Sequence, residues 1–308
     1  MTRKIFPTMD IKLEADAALP VSVLRKAAPC LSSLELYDAE ISESGEVCAD
    51  ALASLSETAL GEDVQPLLGM ANTGSLPTHM LFTDSAVFER FSESLLSALQ
   101  TYRFGGVCFA FSLLPPFERD NFTRFLRDIA DRLHAAGLSV GCVCPSPFCP
   151  ASASAFDLTA QAAFLDSLTL PVHAQPATTE DALRDALKTA AKKIPPEKLW
   201  AGLSYGAALW HLPHTAGEAP ETVSVESAAA LVRMNKAKAN RDPAPHCFFR
   251  DAEDKDRELW YEDAEHFEKL LDIVDEAGLA GISLRINDRC DESLLDLLGK
   301  RYHVLKRL

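Results

Sequence analysis

Short apolar runs alternate with amphipathic stretches along most of the chain, which is the pattern of strands and helices in βαβ units. Successive runs begin mostly about thirty residues apart, the size of one such unit. An eighth strand is expected within residues 4–13, where the signal is weakest. The seven clear runs predict strands at residues 34–37, 64–71, 104–111, 138–144, 165–170, 199–204 and 280–286.

The segment 120–136 shows the helical period most clearly. Its apolar residues recur every three or four positions and therefore form one face of a helix. Gly137 follows at the position where glycine commonly ends a helix. The same period predicts helices at 85–102, 179–193 and 264–277. Eight strand and helix units close a barrel, so we predict an α/β fold, a (β/α)8 TIM-type barrel that is one domain over residues 1–308.

The distance in sequence between the last two predicted strands is too long for one βα unit of the barrel. About eighty residues separate the strands predicted at 199 and 280, whereas one βα unit needs about thirty. The surplus is polar and rich in proline around one helical stretch at 227–238. We therefore predict a small α+β insertion after strand 7, covering residues 206–258.

The charge balance limits the partners. The chain has 308 residues and a formal net charge of −15, which opposes binding to phosphates of nucleic acids and to anionic membranes. No apolar run is long enough for a membrane span or a signal peptide, so this chain alone predicts a cytoplasmic protein. We expect no nucleic-acid partner and no membrane partner.

Four ordered segments resemble one known family. Residues 101–145 contain a strand, a Pro-Pro pair, an acidic helix start, a long helix and a second strand, and they resemble a stretch of glycoside hydrolase family 18, the chitinase-like barrels. Residues 28–47, 194–213 and 258–284 resemble the same family in the same order. The resemblance is closest to the YaaH-like branch of spore and cell-wall proteins. It implies a spore or cell-envelope location and glycans that contain N-acetylglucosamine.

The resemblance also implies where an active site would lie. Enzymes of this family carry a DxxDxDxE motif on the fourth strand, where the glutamic acid protonates the glycosidic oxygen and the preceding aspartate orients the acetamido group of the sugar. This substrate-assisted route is one of the exceptions to the usual two-carboxylate scheme. In this chain the four acidic positions are occupied by Gly105, Cys108, Ala110 and Ser112.

None of these four residues can do the work of the family's acids. A serine hydroxyl holds its proton too tightly to act as a general acid near neutral pH, and alanine cannot orient an amide. By the same resemblance, Val172 replaces a tyrosine after strand 6 and Arg285 replaces a tryptophan at the end of strand 8. The sequence therefore predicts a degenerate active site without catalytic residues.

Three functions remain open, and the sequence leans against an enzyme. The first is a catalytically inactive glycosidase-like barrel that binds an N-acetylglucosamine-containing glycan, a peptidoglycan fragment or a protein partner. The second is an active glycoside hydrolase, N-acetylglucosaminidase-like or chitinase-like, that uses a relocated acid. Neither requires a cofactor. The candidate binding residues are Trp210, Tyr205, His173, Arg285 and Trp260.

The third function is a thiol or metal site at the barrel mouth. Cys142, Cys144 and Cys149 lie close together in sequence, with Cys108 on the neighbouring predicted strand. A CxC spacing lacks the tight CxxC knuckle of zinc sites, so we interpret the cysteines as reduced thiols and expect no metal. Other groups are interpreted as loop residues or helix-start residues: His173 with Asp166, His211 with His214, and Glu118 with Asp120.

Overall fold

A computed structural model describes residues 8–72, 74–147, 153–172, 178–215, 219–286 and 292–306. The strands are β1 (Thr8–Ala15), β2 (Ser33–Leu36), β3 (Glu40–Ile41), β4 (Val47–Cys48), β5 (Gln65–Ala71), β6 (Gly106–Ala110), β7 (Ser139–Val143), β8 (Ser167–Pro171), β9 (Leu199–Tyr205), β10 (Ala207–His211), β11 (Glu221–Val223), β12 (His246–Arg250), β13 (Asp256–Tyr261), β14 (Gly281–Ile286) and β15 (His303–Val304). The α-helices are α1 (Val21–Ala27), α2 (Ala53–Gly61), α3 (Ser75–Thr83), α4 (Ser85–Thr101), α5 (Arg119–Ala135), α6 (Leu158–Gln161), α7 (Glu180–Ala190), α8 (Val225–Met234), α9 (Ala264–Ala277) and α10 (Glu292–Arg301).

Eight parallel strands close into a barrel in the order β1, β2, β5, β6, β7, β8, β9 and β14. Closure occurs between β14 and β1, whose paired residues run from Asp10 with Gly281 to Glu14 with Arg285. Helices connect the strands around the outside, so the fold is the predicted TIM-type (β/α)8 barrel.

The first barrel strand lies slightly later than expected, at Thr8–Ala15 instead of within 4–13. Its inward-facing side chains include Lys12 and Glu14, whereas Ile11 and Leu13 face the buried layer beneath the helices. These two charged residues interrupt the apolar run, so the hydrophobic pattern predicts this strand only weakly.

Strand β6 shows why the barrel does not need the family's acidic residues to fold. Side chains alternate between the two faces of a strand, so Val107 and Phe109 point outward while Cys108 and Ala110 point inward. The Phe109 ring meets Phe125 of α5 edge to face, with 5.4 Å between ring centroids. The outward residues stabilise the strand against α5, and the inward residues can change without loss of that packing.

The helices predicted from the period are confirmed, with small differences at their ends. Helix α5 ends just before Gly137, which has a left-handed φ of 75°, and α9 ends at Gly278 with a φ of 62°. Helix α7 stops at Ala190, three residues before the expected end, since Pro195 and Pro196 follow closely and proline disfavours helix in the residues before it. In the described part of the chain, every helix is too short or too polar to cross a membrane.

The long segment after the seventh barrel strand, β9, forms a four-stranded antiparallel sheet in the order β11, β10, β13 and β12. Helix α8 covers one face of this sheet, where Ala228 of the helix packs with Leu259 and Cys247. The expected end of the insertion at residue 258 lies inside β13, which continues to Tyr261 because it pairs along its whole length with β10 and β12.

Candidate functional site

A cavity of about 950 Å³ opens at the carboxyl ends of the barrel strands. This is the end at which TIM-type barrels carry their functional sites, and the volume accommodates a small ligand such as one or two sugar rings. Its described lining residues come from the strand ends and the loops that follow: Leu13, Glu14, Ala15, Asp16, Ala18, Leu19, Pro20, Val23, Tyr37, Asp38, Ala71, Ala110, Phe111, Ser112, Val143, Cys144, Pro145, Ser146, Phe156, Pro171, Thr222 and Arg285.

The four positions that correspond to the family's acidic motif are spread along the fourth barrel strand. Ala110 and Ser112 line the cavity, Cys108 is buried one layer deeper, and Gly105 lies before the strand beside the side chain of Gln65. The backbone of Ser112 is held by Asn72, whose side chain accepts from its N–H at 2.9 Å and donates to its carbonyl at 3.0 Å. The wall of the cavity at β6 is therefore neutral.

Three carboxylates line the cavity from other elements. Glu14, at the end of β1, is half-buried and accepts a hydrogen bond from the Ser283 hydroxyl at 2.6 Å. Asp16 and Asp38 are exposed in loops, where they accept from the backbone N–H groups of Ala18 and Ala17 at 2.9 and 3.0 Å. Glu14 is thus the only half-buried acid among the described lining residues, and β2 and β5 separate its strand from β6.

A buried ion pair lies inside the barrel beneath the cavity. The Lys12 ammonium contacts the Glu35 carboxylate, with side chains 3% and 0% exposed, and reaches across the interior to the Thr169 hydroxyl at 3.3 Å. Burial by itself lowers the pKa of Lys12, but the negative charges of Glu35 and Glu14 outweigh it, so this pKa lies above its ordinary value. Lys12 is therefore a permanent cation at neutral pH.

Tyr37 joins this ion pair to the cavity. Its hydroxyl donates to the Glu35 carboxylate, and its ring lines the cavity against the backbone of Gly69. Burial and the nearby charge of Glu35 raise the pKa of Tyr37, so the phenol stays protonated and keeps this hydrogen bond. Tyr37 is consequently an aromatic surface held in a fixed position at the cavity wall. Tyr37 is not among the residues predicted to bind ligand, although the period-two spacing of Glu35 and Tyr37 places both on the inner face of the barrel.

Replacing Gly69 by alanine should displace the Tyr37 ring. A Cβ atom at residue 69 would lie 2.7 Å from two atoms of that ring, a distance at which one of the groups must move. Because the Tyr37 ring is tied to Glu35, we expect Gly69→Ala to lower the free energy of unfolding by roughly 1–3 kcal/mol. Chemical denaturation monitored by circular dichroism measures this change.

Gly61→Ala is the matched control for this prediction. Gly61 ends helix α2, has no atom within 4 Å of an added Cβ, and does not have the positive φ that would strain alanine. The control should keep or slightly raise the stability, since alanine restricts the unfolded chain more than glycine does. Equal stability of the two variants would show that Tyr37 is not held against Gly69.

Of the residues expected to bind ligand, Arg285 lines the cavity. Tyr205 does not, because it is 2% exposed and packs edge to face on Phe267 at 5.1 Å, with its hydroxyl 3.3 Å from that of Ser293. Val172, at the position of the family's tyrosine, is buried. His173 lies outside the described residues.

Two of the expected binding residues, Trp210 and Trp260, lie on the inserted sheet, on the face opposite helix α8. Trp260 stacks on His246 with 4.3 Å between centroids and donates from its indole N–H to Glu258 at 2.8 Å. Trp210 lies 5.1 Å from the His214 ring. These contacts are internal to the insertion, and Thr222 is the one residue of its described strands that lines the cavity.

The described cysteines that were considered for a thiol or metal site do not lie on one face. Cys108 pairs in register with Gly141, and Cys142 pairs with Phe109, so strand alternation directs the two thiols to opposite faces. Burial raises the pKa of Cys108 and Cys142, and that of Cys144 to about 12. Reactive thiols need the opposite shift, so these three resemble small buried apolar residues. Cys149 lies outside the described residues, among which no group of three or more His, Cys, Asp or Glu side chains could hold a metal ion.

The polar pairs considered in the sequence have other partners. Asp166 contacts His134 at 2.8 Å and accepts from the backbone of Val140. His214 contacts Glu258 at 2.6 Å, whereas His211 contacts Arg257. Asp120 lies in the first turn of α5, and Glu118 is buried against His79 at 2.5 Å. None of these groups lines the cavity.

Comparison with known proteins places this fold among glycan-active barrels. No protein-family model matches the chain. The Cortical fragment-lytic enzyme of Bacillus subtilis is 25% identical over 306 residues, which cover 92% of this chain and 70% of that protein. The Putative sporulation-specific glycosylase YdhD of the same organism is 23% identical over 279 residues, which cover 83% of this chain and 65% of that protein. The chain thus spans about two thirds of the length of these relatives.

Solved structures agree with the sequence comparison. The Bacillus megaterium spore cortex-lytic enzyme SleL has a TM-score of 0.91 at 18% identity, covering 99% of this chain and 76% of that chain. A chitinase from Chromobacterium violaceum has a TM-score of 0.85 at 18% identity, covering 95% and 98%. The chain therefore has the chitinase-type barrel fold, similar to that of glycoside hydrolase family 18. The relatives found by sequence include spore-cortex and sporulation proteins, which confirms the resemblance found in the sequence.

Proposed function

We propose that this chain is a non-hydrolytic barrel that binds a glycan containing N-acetylglucosamine in the cavity at the strand ends. The observation that carries the proposal is the neutral wall formed by Ala110 and Ser112 in a cavity that remains open. A sugar bound there meets no proton donor on β6, so the leaving oxygen would depart as a strongly basic alkoxide. Binding without cleavage is the outcome that this geometry supports best.

Two further observations favour a glycan as the ligand. The Tyr37 ring offers an aromatic surface of the kind that sugar rings pack against, and its orientation is fixed by Glu35 and Gly69. Hydroxyl groups of Ser112, Ser146 and Thr222 line the same cavity and can hydrogen-bond to sugar hydroxyls. The names of the relatives also point to cell-wall material, from which we infer a place for this chain in the spore or the cell envelope.

A second candidate function is hydrolysis with a relocated acid, and Glu14 is the observation in its favour. Its carboxylate is half-buried at the cavity wall, which is the setting that a general acid requires. Against it, Glu14 stands three strands away from β6 and is bonded to Ser283, and Ala110 leaves the acetamido group without an orienting aspartate. We therefore favour glycan binding over hydrolysis as the function of this cavity.

Calorimetric titration with chito-oligosaccharides and soluble peptidoglycan fragments tests the proposed binding. We expect wild-type protein to bind, and Tyr37→Ala to weaken binding roughly 30-fold, the effect of losing about 2 kcal/mol at a central aromatic contact. Tyr37→Phe keeps the ring and should retain most of the affinity. Folded wild-type protein that binds none of these glycans would overturn the proposal.

A further inference from the structure

Among the described residues that line the cavity, Arg285 is the one cation, and its guanidinium contacts no described carboxylate. We infer that Arg285 makes the cavity selective for N-acetylglucosamine-containing glycans that carry a carboxylate, over neutral ones. This inference rests on the proposed glycan binding and adds the chemical class of the ligand. It concerns a position where the sequence resemblance implies a neutral aromatic residue.

The position of Arg285 is favourable for contact with a ligand. It lies near the carboxyl end of β14, is exposed, and is the only Lys or Arg among the described lining residues of the cavity. Its guanidinium forms no ion pair and no hydrogen bond with the residues that the structure describes. Its donors are therefore available to a bound molecule.

The neighbouring acids among the described residues make no direct contact with this guanidinium. Glu14 is paired in register with Arg285 on the adjacent strand, yet its carboxylate accepts from Ser283 and makes no ion pair with Arg285 within 4 Å. Asp16 accepts from the backbone N–H of Ala18 in its own loop, and Asp38 accepts from that of Ala17 in the loop after β1. Each of these three acids has a neutral donor, whereas Arg285 has no acceptor among the residues that the structure describes.

The chemistry of arginine then selects the ligand. A guanidinium presents a planar fork of N–H donors that matches the two oxygens of a carboxylate, and such charge-assisted bonds are about twice as strong as neutral ones. A neutral chito-oligosaccharide offers only hydroxyls and acetamido groups to this fork. Glu14, Asp16 and Asp38 also line the cavity and repel anions in general. A carboxylate therefore increases the affinity only when the bound sugar ring holds it within reach of Arg285.

Two sources of carboxylate share this chemistry, namely an acidic substituent on the sugar itself and the end of a peptide attached to the sugar. Three disaccharide probes separate them: N,N′-diacetylchitobiose, which is neutral; N-acetylglucosaminyl-N-acetylmuramic acid, whose sugar carries the carboxylate; and the same disaccharide with a peptide, whose carboxylates lie on the peptide. Dissociation constants are measured by calorimetry for wild type, Arg285→Gln, Arg285→Lys and the control Arg233→Gln. Arg233 is exposed on α8, outside the cavity lining.

We expect wild-type protein to bind at least one acidic probe about 10- to 100-fold more tightly than diacetylchitobiose, which is the range for a hydrogen-bonded charge. Arg285→Gln should abolish that preference, so that the acidic probes and diacetylchitobiose bind with similar affinities. Arg285→Lys should keep part of the preference, and Arg233→Gln should keep all of it. The acidic probe that is preferred identifies the source of the carboxylate.

An unchanged preference in Arg285→Gln, or equal affinities of wild-type protein for all three probes, would overturn the role of Arg285 while leaving glycan binding intact. Failure of wild-type protein to bind any probe would instead overturn the proposed function together with the role of Arg285.

Discussion

Replacing Lys12 by methionine is expected to remove about 3–5 kcal/mol from the free energy of unfolding, the usual cost of taking one partner from a buried ion pair. Methionine is similar in length and fills most of the space, but it leaves the fully buried Glu35 carboxylate without a countercharge. It also removes the donor that reaches Thr169 across the barrel. Urea denaturation of both proteins at pH 7 measures the loss.

The pH dependence of this loss has a definite sign. The pKa of Lys12 in the folded protein is raised above its ordinary value of 10.5, so the stabilisation is fully present below that pH and disappears only as the pH rises through the higher folded value. We therefore expect the difference between wild type and Lys12→Met to be constant from pH 7 to about pH 10 and to narrow at more alkaline pH.

Two further variants test whether the loss of stability in Lys12→Met comes from the buried ion pair. Lys300→Met removes a lysine that pairs with Asp296 at 3.2 Å on the surface, with side chains 78% and 71% exposed, and should change the stability by less than about 0.5 kcal/mol. Lys12→Met combined with Glu35→Leu removes both charges and should recover much of the stability. Equal effects of Lys12→Met and Lys300→Met would show that the ion pair is not buried.

The fold could be predicted because its apolar pattern belongs to the outer layer of the barrel. Residues such as Phe109, Phe122 and Phe125 repeat with the periods of strand and helix, and they are the residues that pack between β6 and the helices. The weakest prediction, β1, failed only in its bounds. Its inward side chains are charged, and their partners Glu35 and Thr169 are distant in sequence.

The site was harder to predict than the fold because its residues face into the barrel, where their partners are distant in sequence. The inward layer of the barrel carries Lys12, Glu35 and Tyr37, whose contacts depend on how strands meet around the closed barrel. Aromatic residues near a family motif were poor guides, since Tyr205 packs in the core and Trp260 packs within the insertion. Arg285, by contrast, stands where the family resemblance implies a tryptophan at the end of a strand, and it lines the cavity.

The second large effect concerns catalysis. Loss of the proton donor typically lowers the rate of a hydrolase by 10²–10⁴-fold, and loss of the group that orients the substrate lowers it further. Ser112 replaces the donor and Ala110 the orienting acid, so we expect glycan cleavage at the rate of the protein-free solution. Because neither residue contributes chemistry, Ser112→Ala should leave that result unchanged.

Cleavage of chitotetraose and of soluble peptidoglycan fragments, followed by mass spectrometry, tests most directly whether the barrel lacks a proton donor. The Cortical fragment-lytic enzyme of Bacillus subtilis serves as the parallel reference. We predict that wild type, Ser112→Ala and Glu14→Gln all leave both substrates intact. Turnover by wild type that survives in Ser112→Ala but disappears in Glu14→Gln would contradict the non-hydrolytic proposal and make Glu14 the acid.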